Sequence, residues 1–252
     1  MKNKFYYFYS NLKLYVQGNI FKTILSLLIS LVFFSCLGIG YPYIFTHDIL
    51  KIFTDIIFCL FTFLILFLNS LNTYLIFQKN DYFILRFKSK KRFFSEFLKQ
   101  VFINNLLILL LEIILVFIGC ILLLFVAYKS QTIDLFYNIS MSLYLPFFLF
   151  RNIILYLLIS LIFSCSFFLL NPTYTTVLFS VFIAYFFTDN YIFSTSQLSR
   201  FSVSFSLSSY FDLFQYSTFI NEVFSSCLMV VILGFILILL FKSLRYSKDI
   251  GY

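Results

Sequence analysis

The sequence predicts an all-α membrane protein with six transmembrane helices, both termini in the cytoplasm and an amphipathic helix at its N-terminus. Three observations lead there. Hydrophobic residues make up 62% of the 252 residues and charged residues only 11%, where a soluble chain carries about a quarter charged. Long charge-poor runs alternate with short polar stretches, and a hydrocarbon core about 30 Å thick needs about 20 apolar residues of helix to cross it. Finally, Lys and Arg gather in alternate polar stretches, the pattern that places those stretches on the cytoplasmic side.

The elements follow in order. In residues 1–22, Phe5, Phe8, Tyr9, Leu12, Val16 and Ile20 recur at helical spacing while Lys2, Lys4, Lys13 and Gln17 take the other faces. Such a helix lies in the cytoplasmic interface. A single transmembrane domain, 23–245, then holds spans at about 23–45, 52–77, 101–128, 141–165, 173–188 and 223–241, and 246–252 form a cytoplasmic tail. The fifth span is short: its sixteen residues rise only about 24 Å. Asn171-Pro172 reads as its start, with proline at the first turn. The external segment 189–222 is long and Ser-rich, and its stretch Phe201 to Ser208 alternates strictly, as a half-buried strand does. Asp212 suits a helix cap there. With few charges and many Phe, this segment is expected to fold back onto the outer leaflet.

The basic residues fix the orientation. Expected inside segments hold Lys2, Lys4, Lys13 and Lys22, then Lys79, Arg86, Lys88, Lys90, Lys91, Arg92 and Lys99, then Lys242, Arg245 and Lys248. Outside segments hold only Lys51, Lys129 and Arg200, with Arg151 inside a span. The net charge of +8 is thereby accounted for by loops facing anionic headgroups or a partner, not nucleic acid. With no Trp, Tyr must supply the interfacial belt. With two Ala and six Gly, close helix approach relies on Ser, Thr and Cys as well. Scarce Ala and Trp beside abundant Phe, Ile, Asn and Lys fit an AT-rich genome, and so a bacterial cytoplasmic membrane.

Signatures of catalysis are missing from the sequence. The one histidine, His47, stands in a short external loop, and the five cysteines (Cys36, Cys59, Cys120, Cys165, Cys227) form no C-x-x-C pair. Neither a nucleophile elbow nor a zinc-protease motif occurs. No metal site, no cofactor and no enzymatic activity are expected of this chain, and with no Walker A sequence any ATP must bind on another subunit.

Two ionisable residues fall deep in spans: Glu112 in the third and Arg151 in the fourth. Charges there usually face the bundle interior in pairs. Counted from the inner edges of their spans, the two reach comparable depths, about 17 and 21 Å. They are expected either to form a structural ion pair or to line a substrate path. Asn104, Asn105 and Asn152 would complete a buried polar network with them. The segment 78–100 interleaves aromatic residues with cations. It reads either as an electrostatic anchor at the headgroups or as a docking helix on a soluble partner, with Phe83, Arg86, Phe87, Lys90, Lys91 and Phe94 at the contact.

The basic interfacial N-terminal helix, the stretch Leu85-Arg86-Phe87-Lys88-Ser89-Lys90-Lys91 between spans two and three, the six spans and the long segment before the last span together resemble one family. It is the small permease subunits of ABC-2-type transporters, including those beside bacteriocin and lantibiotic self-immunity ATPases. The resemblance implies a subunit that pairs with a second copy or a sibling permease, binds cytoplasmic ATPases through the loop after span two, and exports or extracts an amphipathic peptide or lipophilic compound. The alternative from a different class is a stand-alone immunity or binding protein, or an assembly scaffold, without transport activity.

Overall fold

At Asn171 the helical chain reverses. Residue Asn171 has φ 67° and ψ 158°, a left-handed φ that a non-glycine residue rarely adopts. The following Pro172 disfavours a helical conformation at residue 171 and has no amide hydrogen to continue the ladder. On the far side a new helix starts, with Pro172 at its first position and Thr175 Oγ1 donating to the Asn171 carbonyl at 2.9 Å. The bend is a full reversal. Phe163 and Phe179 have ring centroids 5.2 Å apart, and Phe163 and Phe182 5.4 Å, whereas a straight helix would separate the first pair by about 24 Å.

The computed structural model describes the backbone of residues 56–79, 90–126, 135–136, 139–195 and 219–246. Helix α1 spans Ile56–Lys79 and α2 Lys90–Val126; strands β1 (Leu135–Phe136) and β2 (Ile139–Ser140) pair antiparallel; α3 spans Met141–Thr195, broken at Asn171 into two arms; α4 spans Phe219–Tyr246. The expected elements at 1–22 and 23–45, His47, the strand at 201–208 and Asp212 lie outside the described residues.

All four helices are long and apolar enough to cross a membrane. Their burial is inverted relative to a soluble bundle. Thr62, Asn69, Ser70, Thr73, Asn105, Glu112 and Arg151 are buried, while Ile114, Phe150, Val181, Phe224, Val231 and Phe235 are exposed. Apolar surface on this scale marks contact with a membrane or a partner. Buried Ser70, Ser160, Ser164 and Ser226 donate to carbonyls one turn back, at 2.7–2.9 Å. They satisfy themselves within their own helices and leave room for close packing.

Contacts between helices set their directions. From Thr62 to Asn69 on α1 is seven residues, matched by seven back from Glu112 to Asn105 on α2; eight more reach the Phe77–Phe97 ring contact at 5.4 Å. Thus α1 and α2 run antiparallel. The first arm of α3 runs alongside α1 in the same direction, since Phe63 meets Tyr156, Phe67 meets Phe163 and Tyr74 meets Phe168. The second arm returns, setting Phe179 on Phe67 (centroids 4.0 Å, stacked) and Phe186 on Phe63. Helix α4 starts beside the first arm and runs with it, Phe219 touching Phe147 and Glu222 meeting Arg151.

Two ends of the bundle follow. At the Asn171 end lie the last turn of α1, the first turns of α2 and the last turns of α4; at the Met141 end lie the starts of α3 and α4. The cationic helix ends, with Lys79, Lys90, Lys91, Arg92, Lys99, Lys242 and Arg245, are all at the Asn171 end.

Several boundaries differ from expectation: the first arm of α3 runs on to the break at Asn171 rather than ending near 165, and α4 runs to Tyr246 rather than 241. Helix α2 begins at Lys90, not 101, because Phe93, Phe94, Phe97 and Val101 form a buried stripe opposite exposed Arg92, Ser95, Glu96 and Lys99. That is the pattern of an amphipathic helix continuing the span. The second arm runs to Thr195 rather than ending at Thr188. Its 24 residues from Pro172 rise about 36 Å, enough for a full crossing. Finally, α4 takes in Phe219 to Glu222.

Candidate functional site

Between α1 and α2 runs a seam of side-chain hydrogen bonds. At mid-seam, Asn69 Nδ2 donates to Asn105 Oδ1 at 2.7 Å, and Asn105 Nδ2 donates to Ser70 Oγ at 3.1 Å. Toward the Asn171 end, Asn104 Nδ2 reaches Thr73 Oγ1 at 3.5 Å and takes a bond from Gln100 Nε2 at 3.0 Å. Toward the Met141 end, Thr62 Oγ1 donates to Glu112 Oε2 at 3.2 Å. The Tyr156 hydroxyl from α3 lies within interaction range of Cys59, Thr62 and Glu112. The seven-residue step from Thr62 to Asn69, and from Asn105 to Glu112, returns each residue to one face of its helix. In hydrocarbon such bonds average about 0.6 kcal/mol each, and several in register fix how α1 slides on α2.

The charged centre is elsewhere. Arg151 Nη1 donates to Glu222 Oε1, both residues buried. Tyr144 Oη donates to the same carboxylate, 3.0 Å from Oε1 and 3.2 Å from Oε2. Arg151 Nε reaches Asn152 Oδ1 at 3.4 Å, and the guanidinium lies 4.7 Å from the centroid of the Phe148 ring, a cation–π contact. This cluster ties α4 to the first arm. Two of its donors, Arg151 Nη2 and Asn152 Nδ2, have no hydrogen-bond partner among the described residues. Leaving a buried donor unmade costs about 1–3 kcal/mol.

The expected Glu112–Arg151 ion pair is therefore not formed, and height explains why. Glu112 is level with Tyr156, about 22 Å from Asn171 along the arm, whereas Arg151 is about 30 Å away. Helical side chains also lean toward the helix N-terminus, which carries the Arg151 head away from Glu112 and toward Glu222. The five residues expected in one network divide: Asn104, Asn105 and Glu112 belong to the seam, Arg151 and Asn152 to the charged cluster. Glu222, the last residue of the expected external segment 189–222, is 2% exposed. Thr62, Asn69, Ser70 and Thr73 were not singled out, although the spacing from 62 to 69 to 73 on one apolar run is a readable stripe.

Of the expected docking residues, Phe83, Arg86 and Phe87 lie outside the described residues. Lys90 and Lys91 open α2. Phe94 is enclosed at 1% exposure, its ring 5.6 Å from Phe93 and 5.0 Å from Phe168. Phe168, three residues before Asn171, is held edge-on by Phe93, Phe94, Phe97 and Tyr74. Phe93, Phe94 and Phe97 face inward onto the reversal.

Among the described residues no group of three His, Cys, Asp or Glu could hold a metal ion. Cys59, Cys165 and Cys227 form no disulfide. No family model matches the chain, and no curated protein or solved structure matches it.

Proposed function

We propose that the chain is the transmembrane permease subunit of an ABC-2-like transporter, powered by a separate cytoplasmic ATPase and moving an amphipathic peptide or lipophilic compound. One observation carries this reading. Helix α2 is 37 residues long, about 56 Å, well beyond the roughly 30 Å of a hydrocarbon core. Its overhang presents Arg92, Glu96 and Lys99 outward and Phe93, Phe94 and Phe97 inward against Phe168. A cationic helix packed rigidly on the reversal of a membrane hairpin is suited to pass a push from a soluble partner into the bundle. On this reading the Asn171 end, with its cations, faces the cytoplasm. Six spans with both termini inside, in a bacterial membrane, complete the proposed topology. The permease works as a pair, with itself or a sibling.

The test is copurification. The intact complex, extracted in mild detergent, retains an ATPase that is lost when Arg86 and Phe87 are both changed to Glu. Retention of the ATPase by that variant, or extraction of a chain with no ATPase beside it, removes the permease reading.

A further inference from the structure

Buried donors with nothing to bond are rare in folded proteins, and each calls for a reason. Two sit side by side at the Met141 end. Arg151 Nη2 and Asn152 Nδ2 lack acceptors among the described residues, and the two residues are each 3% exposed. Their groups are joined through Arg151 Nε and Asn152 Oδ1. That bond fixes the amide orientation, because a flipped amide would set two donors against each other. In a guanidinium, Nε and Nη2 share one edge of the planar fork. Both free donors are thus neighbours of one shared contact, and a single oxygen with two lone pairs can accept from both.

Charge decides what kind of oxygen. Arg151 is already balanced by Glu222, which also takes the Tyr144 hydroxyl. A second anion would leave one net negative charge among Phe147, Phe148 and Phe219, and buried unpaired charge is strongly disfavoured. A cation finds no free acceptor in the pair. The neighbouring rings, Phe148 on the guanidinium and Phe147 against Phe219 at 5.1 Å, favour an apolar body around the acceptor.

We propose that Arg151 Nη2 and Asn152 Nδ2 form a binding site for the carbonyl oxygen of an apolar amide or ester. The site stands on the buried donors alone and does not depend on the permease reading. Glu222 holds the guanidinium in place, so the ligand meets a donor pair set before it arrives rather than a mobile charge. The same carbonyl chemistry comes from an apolar peptide or from a lipid acyl ester, and the two are separable by experiment.

The full chain in dodecyl maltoside, freed of lipid, is titrated with N,N-dimethyldodecanamide, methyl dodecanoate, dodecanoate and dodecane while its thermal midpoint is followed. The two neutral carbonyl compounds raise the midpoint saturably and dodecane does not. Half-saturation at the lower concentration by the amide assigns the site to a peptide-like ligand, and by the ester to a lipid. Asn152→Leu raises the half-saturating concentration about tenfold, and Asn152→Ser does so by a smaller factor should the leucine variant not fold. Equal stabilisation by dodecane, unchanged titrations in both variants, or stabilisation by dodecanoate alone each overturns the proposal. So does no stabilisation by any of the four, which leaves water as what completes the donors.

Discussion

The two ends of the bundle are closed by opposite means. At the Asn171 end the interior is aromatic, with Phe77, Phe93, Phe94, Phe97 and Phe168 edge-on to one another, and Arg92, Lys99 and Lys242 are exposed. At the Met141 end an ion pair, Arg151–Glu222, is itself inside, with aromatic rings around it. The difference matters for how each end fails. An aromatic cluster loses stability in proportion to what is removed, because neighbouring rings partly fill the gap. A buried ion pair fails abruptly, because removing one partner strands the other. The first end is held by apolar packing, whereas the second joins α4 to the first arm through a buried ion pair as well as ring contacts.

The largest expected effect breaks the second end. Glu222→Ala strands the Arg151 guanidinium and costs about 3–5 kcal/mol, read as a lowered unfolding midpoint of the detergent-solubilised chain. The double variant Arg151→Met, Glu222→Leu recovers most of that loss, since a matched apolar pair is often as stable as the ion pair it replaces. If the double variant is no better than the single, the pair does more than join α4 to the first arm.

Next comes the first end. Phe94→Ala leaves a void beside Phe93 and Phe168 and costs about 3 kcal/mol. A docking residue would behave differently, losing a partner with the midpoint unchanged, so one thermal scan separates the two roles. The smallest effect is a gain. Asn171 sits at φ 67°, ψ 158°, a region that suits glycine and costs other residues about 1–3 kcal/mol. Asn171→Gly therefore raises stability by about 1 kcal/mol. A loss instead would mean that the Asn171 side chain contributes a contact worth more than the strain.

Where local chemistry settles a feature, the sequence reveals it. Asn171-Pro172 is legible as a break because proline lacks a donor and constrains the residue before it. The apolar runs of the four helices are legible by length. The seam is half legible: Glu112, Asn104 and Asn105 stand out in an apolar run, but their partners Thr62, Asn69 and Thr73 depend on the antiparallel register, which no single helix encodes. Arg151 was visible and its partner was not. Glu222 stands just before an apolar run and reads as an end residue, until α4 is seen to start at Phe219 and run beside the first arm. Phe94 stands among cations, yet the spacing of 93, 94, 97 and 101 is that of a buried helical face, and all four are buried.

The account rests on the Asn171 end facing the cytoplasm. The direct measurement places single cysteines in a chain whose five native cysteines are changed to Ser: one at exposed Ser95 on the overhang of α2, one at exposed Leu143 at the opposite end. An impermeant thiol reagent applied to intact cells should modify Leu143→Cys and spare Ser95→Cys until the cells are opened. Modification of Ser95→Cys in intact cells would contradict the orientation and, with it, any contact between this overhang and an ATPase.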